Sequence, residues 1–433
     1  MRHPGLRWLA LLLFVTGTAW ISACSWREIT RDLQQDFDVF YSAGLSVREG
    51  LSPYDNNMDK DLRTWDGNNY TVSGFLFPPL TARLFVPLST LSYGAAKALW
   101  TLCTVLSIAL SLALVTRLVW PQGGWAGLAG VLGVAFWYFP TLFQVQNENI
   151  DAETFLVLSL GFALAYRHRA AWAHAAFGAC LALAVVLKLD TLLMLPGIFL
   201  LRWRPAAAGF LLGGCLLAAG SLGVDGAAAN QDYFFRHLGR IFHSENQGAA
   251  DQQLSPQKLA QASPGYPDIQ IKDGVSYTIG LQSFLGSASG TGLLASHSHG
   301  HRMLVMVLTP LLLWGLVYAA VGAGGGLDPT LAFYLFGLLI TLFCAPFTWT
   351  QRMFWVLPLL PWLLWRLDHR AGEDRAWLLG CAVCLALIGL PMPVLKGIGF
   401  YYCLPTLVLI AALARLAARP RMASPAGAPV GAA

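Results

Sequence analysis

Residues 93–116 read YGAAKALWTLCTVLSIALSLALVT, and this stretch decides the fold class. About 20 apolar residues in a helix cross the ~30 Å hydrocarbon core of a bilayer, and this run is long enough. Runs of the same kind occur at 5–24, 125–143, 150–166, 171–187, 189–201, 205–223, 303–322, 329–345, 353–366, 376–391 and 397–416. Together they make twelve, of which 189–201 is too short to cross alone and is expected to be a half-span packed inside the bundle. The 433-residue chain is 56% apolar and 12% charged, with a mean hydropathy of +0.55. A soluble domain carries about 25% charged residues, and disorder requires low hydrophobicity, so both classes are excluded. Sixteen Trp suit the interfacial rims of a membrane protein. The expectation is an all-α polytopic membrane protein of about twelve transmembrane helices in a single domain, 1–418.

The net charge of +5 does not point to nucleic acid, because Lys and Arg are spread in ones and twos between the apolar runs. Their distribution sets topology instead. Arg2, Arg7, Arg117, Arg167, Arg169, Arg202, Arg204, Arg366, Arg370, Arg375, Arg415, Arg419 and Arg421 occupy short loops and ends. With twelve crossings all thirteen fall on one face, the cytoplasmic one. A further crossing within 75–92 would put Arg117 and all that follows on the wrong face, so that segment is read as interfacial. Both termini are then cytoplasmic, as expected of a bacterial-type inner membrane protein. The tail 419–433 (ARPRMASPAGAPVGAA from Ala418 on) is expected to be disordered.

Eight cysteines (24, 103, 180, 215, 344, 381, 384, 403) lie mostly inside apolar runs and read as small core residues. Cys381 and Cys384 form a CxxC, but in the middle of a span. The start, MRHPGLR followed by an apolar run to Cys24, has the outline of a lipoprotein signal; the many later spans favour a first transmembrane helix. No internal repeat is evident.

This topology exports two hydrophilic loops, 25–92 and 224–302. Residues 25–74 hold nine acids against five bases, a net charge of −4. Within them, Asp36 to Asp55 read DFDVFYSAGLSVREGLSPYD. Phe37, Phe40, Tyr41, Gly44 and Leu45 recur at helical spacing, so a short amphipathic helix lying on the membrane surface is expected, stopped by Gly50. At 100° per residue Asp36 and Asp38 lie on opposite edges of its apolar face. Either is a candidate general base or a solvated helix edge.

The same string resembles the start of glycosyltransferase family 87, in which an Asp precedes an aromatic residue and a G-x-x-P-Y turn. Four more pieces follow in the family's order: FPPLTARLFVPLSTL (77–91); Gln146, Asn147 and Asn149 in a polar turn; LALAVVLKLDTLLMLP (181–196) around Lys188; and APFTWTQRMFWVLP (345–358). The resemblance implies a GT-C-type membrane glycosyltransferase using a polyprenyl-phosphate sugar, with mannosyltransferases among its relatives. It implies Asp36 as the base, because the family's Asp precedes its hydrophobic-aromatic pair by three and four residues, as Asp36 precedes Val39-Phe40. Asp38 would face solvent or cap the helix. The chain departs from the pattern at Val145 for Gly, Leu189 for Pro, and Gln351-Arg352 for a pair of His. Arg352 would then replace a His as a permanent cation and bidentate phosphate ligand.

Other groups have two readings. His297, His299 and His301 form HxHxH, which alternates onto one face only in a strand; in this Gly/Ser-rich setting it reads as loop. His301 and Arg302 stand at a membrane boundary, as lipid-phosphate ligands or interface anchors. Lys188 and Asp190 are either an ion pair or a donor-phosphate site. Arg236 and Arg240 share a helix face and read equally as a solvated rim. Gln282-Ser283 resembles a polar stretch of the family's second loop.

The expected activity is inverting transfer of a mannose-like hexose to an acceptor hydroxyl on the periplasmic or extracellular face. Asp36 would take the proton; Lys188, Arg352, His301 and Arg302 would meet the lipid phosphate; Asp38, Tyr54, Gln146, Asn147, Gln282 and Gln351 would contact sugar or acceptor. No cofactor or metal is required. The partners would be the donor, a lipid, glycan or protein acceptor and the bilayer. The alternatives are a transporter or flippase for a lipid-linked sugar, with charges buried mid-bundle, and a non-catalytic assembly protein. The topology has a direct check. Cysteines introduced as Arg117→Cys and Arg167→Cys should resist an impermeant thiol reagent in intact cells; labelling of either overturns the twelve-span arrangement.

Overall fold

The computed structural model describes residues 4–30, 36–54, 61–65, 68–72, 75, 77–237, 299–324, 327–345, 350–370, 375–390 and 400–418. In this region the chain is a helical bundle with a short antiparallel hairpin, β1 (Asp61–Trp65) and β2 (Asn68–Val72), inserted before it closes. The helices are α1 (Pro4–Ile29), α2 (Asp36–Arg48), α3 (Pro79–Phe85), α4 (Tyr93–Val119), α5 (Gly124–Trp137), α6 (Phe139–Asn147), α7 (Asp151–His168), α8 (Ala171–Leu187), α9 (Leu195–Leu200), α10 (Arg204–Asp232), α11 (His299–Gly324), α12 (Pro329–Cys344), α13 (Leu359–Arg370), α14 (Arg375–Ile388) and α15 (Phe400–Ala417). Tighter 3₁₀ turns precede α9 (Leu189–Met194) and α13 (Thr350–Val356).

Every apolar run falls on helix in its described part, but not every run is a full crossing. Among the described residues three helices are long and apolar enough to span a bilayer: Pro4–Ile29, Tyr93–Val119 and Arg204–Phe235. A fourth crossing arises if α5 and α6, bent by 62° at their junction, count as one broken span. Six further apolar segments are of only 10–17 residues. The chain is an all-α membrane protein, with three or four candidate full crossings among the described residues where twelve spans are expected. α1 runs on to Ile29, past residue 25 where the first hydrophilic loop is expected to start. The interfacial segment is short: α3 has seven residues, a rise of about 10 Å, too little to cross.

α12 is the axis of the bundle. Its sequence, PTLAFYLFGLLITLFC, is apolar all round, the pattern of a helix with no solvent face, and every residue from Thr330 to Cys344 is buried. Pro329 opens it, and the Asp328 carboxylate accepts the backbone N–H of Thr330 at 2.9 Å. Around this axis α8 and α10 lie in backbone contact. A Cβ added to Gly178 would stand 1.9 Å from the Ala206 carbonyl oxygen, and one added to Gly209 would stand 1.9 Å from that of Ala175. Small residues allow this approach where lipid offers no hydrophobic drive for association.

α2 corrects an expectation. It forms over the expected residues and ends ahead of Gly50, whose φ is +76°. It does not lie on a surface: nine of its thirteen residues, including the polar Ser42 and Ser46, are buried. A separate aromatic core surrounds it, with Phe40 stacked on Phe85 at 4.7 Å and Phe85 tilted against Trp100 at 4.7 Å. Gly44 makes this possible, since a Cβ there would meet the Phe85 backbone at 2.7 Å. α2 is a plug within the protein. The packing of α8 on α10 yields a prediction. Gly209→Leu should destabilise the purified protein by more than the ~1–3 kcal/mol of ordinary overpacking, because a backbone carbonyl cannot rotate away; an unchanged melting temperature in detergent would contradict the contact.

Candidate active site

The site begins at the break between α5 and α6. Pro140 lies in the first turn of α6 and Tyr138 is extended, so the helix cannot run straight through. The Tyr138 hydroxyl donates to the Leu385 carbonyl at 3.0 Å, and the Phe139 N–H to that of Gly389 at 3.4 Å, anchoring the bend on α14. α6 then ends at Glu148, which has a left-handed φ of +54°. A non-glycine residue held there marks a constrained turn. The turn brings Asn149 and Asp151 against the end of α8.

There the polar side chains join in a line. The Asn149 amide donates from Nδ2 to Asp36 Oδ2 at 2.6 Å, and its Oδ1 accepts from Lys188 Nζ at 3.0 Å. Lys188 Nζ lies 3.3 Å from Asp151 Oδ1. Arg352 Nε donates to the same Asp151 oxygen at 3.0 Å, and its Nη1 contacts Asp190 Oδ2. Gln144 fixes the turn by donating to the Asn149 carbonyl at 2.5 Å, and Trp355 Nε1 donates to that of Asp151 at 3.2 Å. The Lys188 ammonium also stands 5.5 Å from the Phe77 ring centroid.

Asp36, Lys188 and Arg352, which come from distant parts of the sequence, thus meet in one network. Their exposures differ. Asp36 is partly exposed, the Lys188 side chain is 12% exposed, and that of Arg352 is 1% exposed. Arg352 is committed to two carboxylates and does not face an open phosphate position. Lys188 does not pair with Asp190; its carboxylate partner is Asp151, and Asp190 pairs with Arg352.

Asp38 departs most from expectation. It neither faces solvent nor stays at a helix edge, being buried and accepting a hydrogen bond from the Tyr93 hydroxyl. Near it Glu28, Lys97 and Glu148 are also buried. Thr101 Oγ1 donates to Glu148 Oε1 at 2.6 Å. Burial pushes the Glu148 carboxyl up to about 8; Lys97 and the Thr101 bond act against this, and Glu28 and Asp38 add to it.

Tyr54 is buried, stacked on Tyr233 at 5.9 Å, and gives its hydroxyl to the Phe77 carbonyl at 2.7 Å. Burial, followed by the nearby Tyr233, Asp225 and Asp232, holds that hydroxyl far above its ordinary range, so it stays a donor. Gln146 and Asn147 are half-buried at the end of α6, where Asn147 Nδ2 donates to the Phe143 carbonyl at 2.7 Å. The backbone of Gln351 lies in the 3₁₀ turn Thr350–Val356, and that of His301 and Arg302 in the first turn of α11. The side chains of these three lie outside the described residues, as do Gln282 and His297 altogether. Among the described residues no three His, Cys, Asp or Glu side chains converge as a metal site.

Sequence reasoning passed over Asp151, the shared counter-ion, and gave Asn149 no role of its own. The signal was an Asn and an Asp bordering an apolar helix, where ionisable groups at membrane depth start as functional candidates.

An apolar bundle with a carboxylate, an amide and an ammonium aligned at one end defines a membrane protein with a polar site at its rim. Residues 75–346 match the model of glycosyltransferase family 87, more than half of the chain. The protein belongs to that family and is a membrane glycosyltransferase. The match covers Asn149, Asp151, Lys188 and Asp190; Asp36 and Arg352 lie beyond its ends. No curated protein and no solved structure matches the chain.

The buried Glu148 supplies a pH test. Its carboxyl titrates at about 8 in the fold against an ordinary 4.5. Between those values the folded state holds a proton that the unfolded chain has lost, so stability falls as pH rises through this window and levels above about 8. Glu148→Gln should flatten that slope between pH 5 and 8 in a thermal-melt series. An unchanged slope would show that Glu148 is not the group responsible.

Proposed function

We propose that this glycosyltransferase moves a mannose-like hexose from a polyprenyl-phosphate donor to an acceptor hydroxyl, with inversion, on the periplasmic or extracellular face. The reading is carried by the line Asp36–Asn149–Lys188, which sets a carboxylate and an ammonium on either side of one amide. Asp36 accepts the proton of the acceptor hydroxyl as that oxygen attacks the anomeric carbon. The leaving phosphate departs on the opposite face, and Lys188, partly exposed, stabilises its developing charge. Arg352 acts through Asp151 and Asp190 as a positioning residue. The topology supports the external side, because Arg117 and Arg167 stand at the far ends of α4 and α7 from Tyr93 and Asp151.

Asp36→Asn keeps the Asn149 contact possible but removes the base, so transfer from a radiolabelled polyprenyl-phosphate mannose should fall by roughly 10²–10⁴. Asp38→Asn, in protein that still inserts and folds, should cost far less turnover, because its carboxylate is buried against Tyr93. Near-normal transfer by folded Asp36→Asn protein, or equal losses in both variants, removes Asp36 as the base.

A further inference from the structure

A second polar feature lies apart from the Asp36 line. α10 contains one residue outside helical geometry, Gly226, with φ +79° and ψ 166°, and beyond it the helix axis turns. Between this turn, α3 and the C-terminal end of α2 opens a cleft of about 720 Å³. Its lining includes Ser52, Arg83, Asp225, Gln231, Asp232 and Phe235. Arg83 spans it: Nε donates to Asp225 Oδ1 at 2.6 Å and Nη2 to the Val224 carbonyl at 2.9 Å. Asp225 is held in turn by Ser221 Oγ at 3.1 Å.

We propose that this cleft is a carbohydrate subsite that takes the neutral, polyhydroxylated acceptor. Three observations converge on that chemistry. The charge of Arg83, the one cation among the described lining residues, is met by Asp225, so its guanidinium offers directed donors and no net attraction for an anion. Gln231 and Ser52 give the mixed donors and acceptors that sugar hydroxyls need, on fully and partly exposed residues. Phe235 is 83% exposed on the rim, and an open aromatic face suits the C–H face of a pyranose. Packed side chains link the walls of the two regions: Tyr233, which follows the cleft residue Asp232, stacks on Tyr54, Tyr54 bonds the Phe77 carbonyl, and Phe77 lies against Lys188.

The assignment rests on the reading of the Asp36 line as the transfer centre, so the test reads binding and not turnover. Full-length protein in lipid nanodiscs is presented with neutral di- and trisaccharides and with the same sugars carrying a phosphate, and contact is read by saturation-transfer NMR. Neutral sugars should bind in preference. Phe235→Ala and Gln231→Ala should each weaken binding by roughly three- to tenfold, the scale of one aromatic or hydrogen-bond contact. Asp36→Asn should bind as the parent does even where its transfer is lost. Preference for the phosphorylated sugars, no neutral binding by the parent protein, or affinity unmoved by both cleft substitutions overturns the subsite. Asp36→Asn that binds normally and also transfers normally overturns the assigned base and leaves the cleft standing.

Discussion

The working end of this protein is organised around one ammonium, that of Lys188, and the groups that hold it. Lys188 follows α8 directly, at an apolar depth where an isolated cation would be costly to desolvate. Asp151 supplies the counter-charge and Asn149 a neutral oxygen, and both come from the turn after α6. That turn closes α6, the helix that the bend at Tyr138 sets at 62° to α5. The turn at Glu148, the start of α7 and α2 thus converge on the network around this one side chain.

The remaining elements make that arrangement single-valued. α2 carries Asp36 into contact with Asn149 only if the helix cannot roll, and the aromatic core around Phe37, Phe40 and Phe85 leaves it no room to do so. α3 holds the end of α8 in place, since Thr81 Oγ1 donates to the Val186 carbonyl two residues before Lys188. Dense packing of this kind is what allows a few hydrogen bonds to define geometry at a reaction centre.

The sequence was legible where one residue sufficed to decide. Apolar length marked the helices, Gly50 marked the end of α2, and the helical spacing of Asp36 and Asp38 foretold that the two would diverge. It was opaque wherever a partner from far along the chain decided. Ser42 and Ser46 lie off the apolar face of α2 and read as solvated, yet both are buried in the fold. Asp38 reads as exposed because Tyr93, whose hydroxyl it binds, comes 55 residues later. Lys188 and Asp190 read as neighbours, but Lys188 has an extended backbone between α8 and the following 3₁₀ turn, and the two bind different partners, Asp151 and Arg352. Apolar length alone also cannot separate a short helix buried among others from a full span.

The two ends of the bundle differ in how they meet dissolved salt. Arg169 pairs with Asp328 at 2.9 Å with its side chain 70% exposed, within reach of mobile counter-ions that screen surface pairs on a scale of about 8–10 Å. Arg352 and Asp151 are each 1% exposed, so no counter-ion atmosphere can form around them. Raising ionic strength therefore loosens the Arg169 end while the line that orients Asp36 keeps its shape.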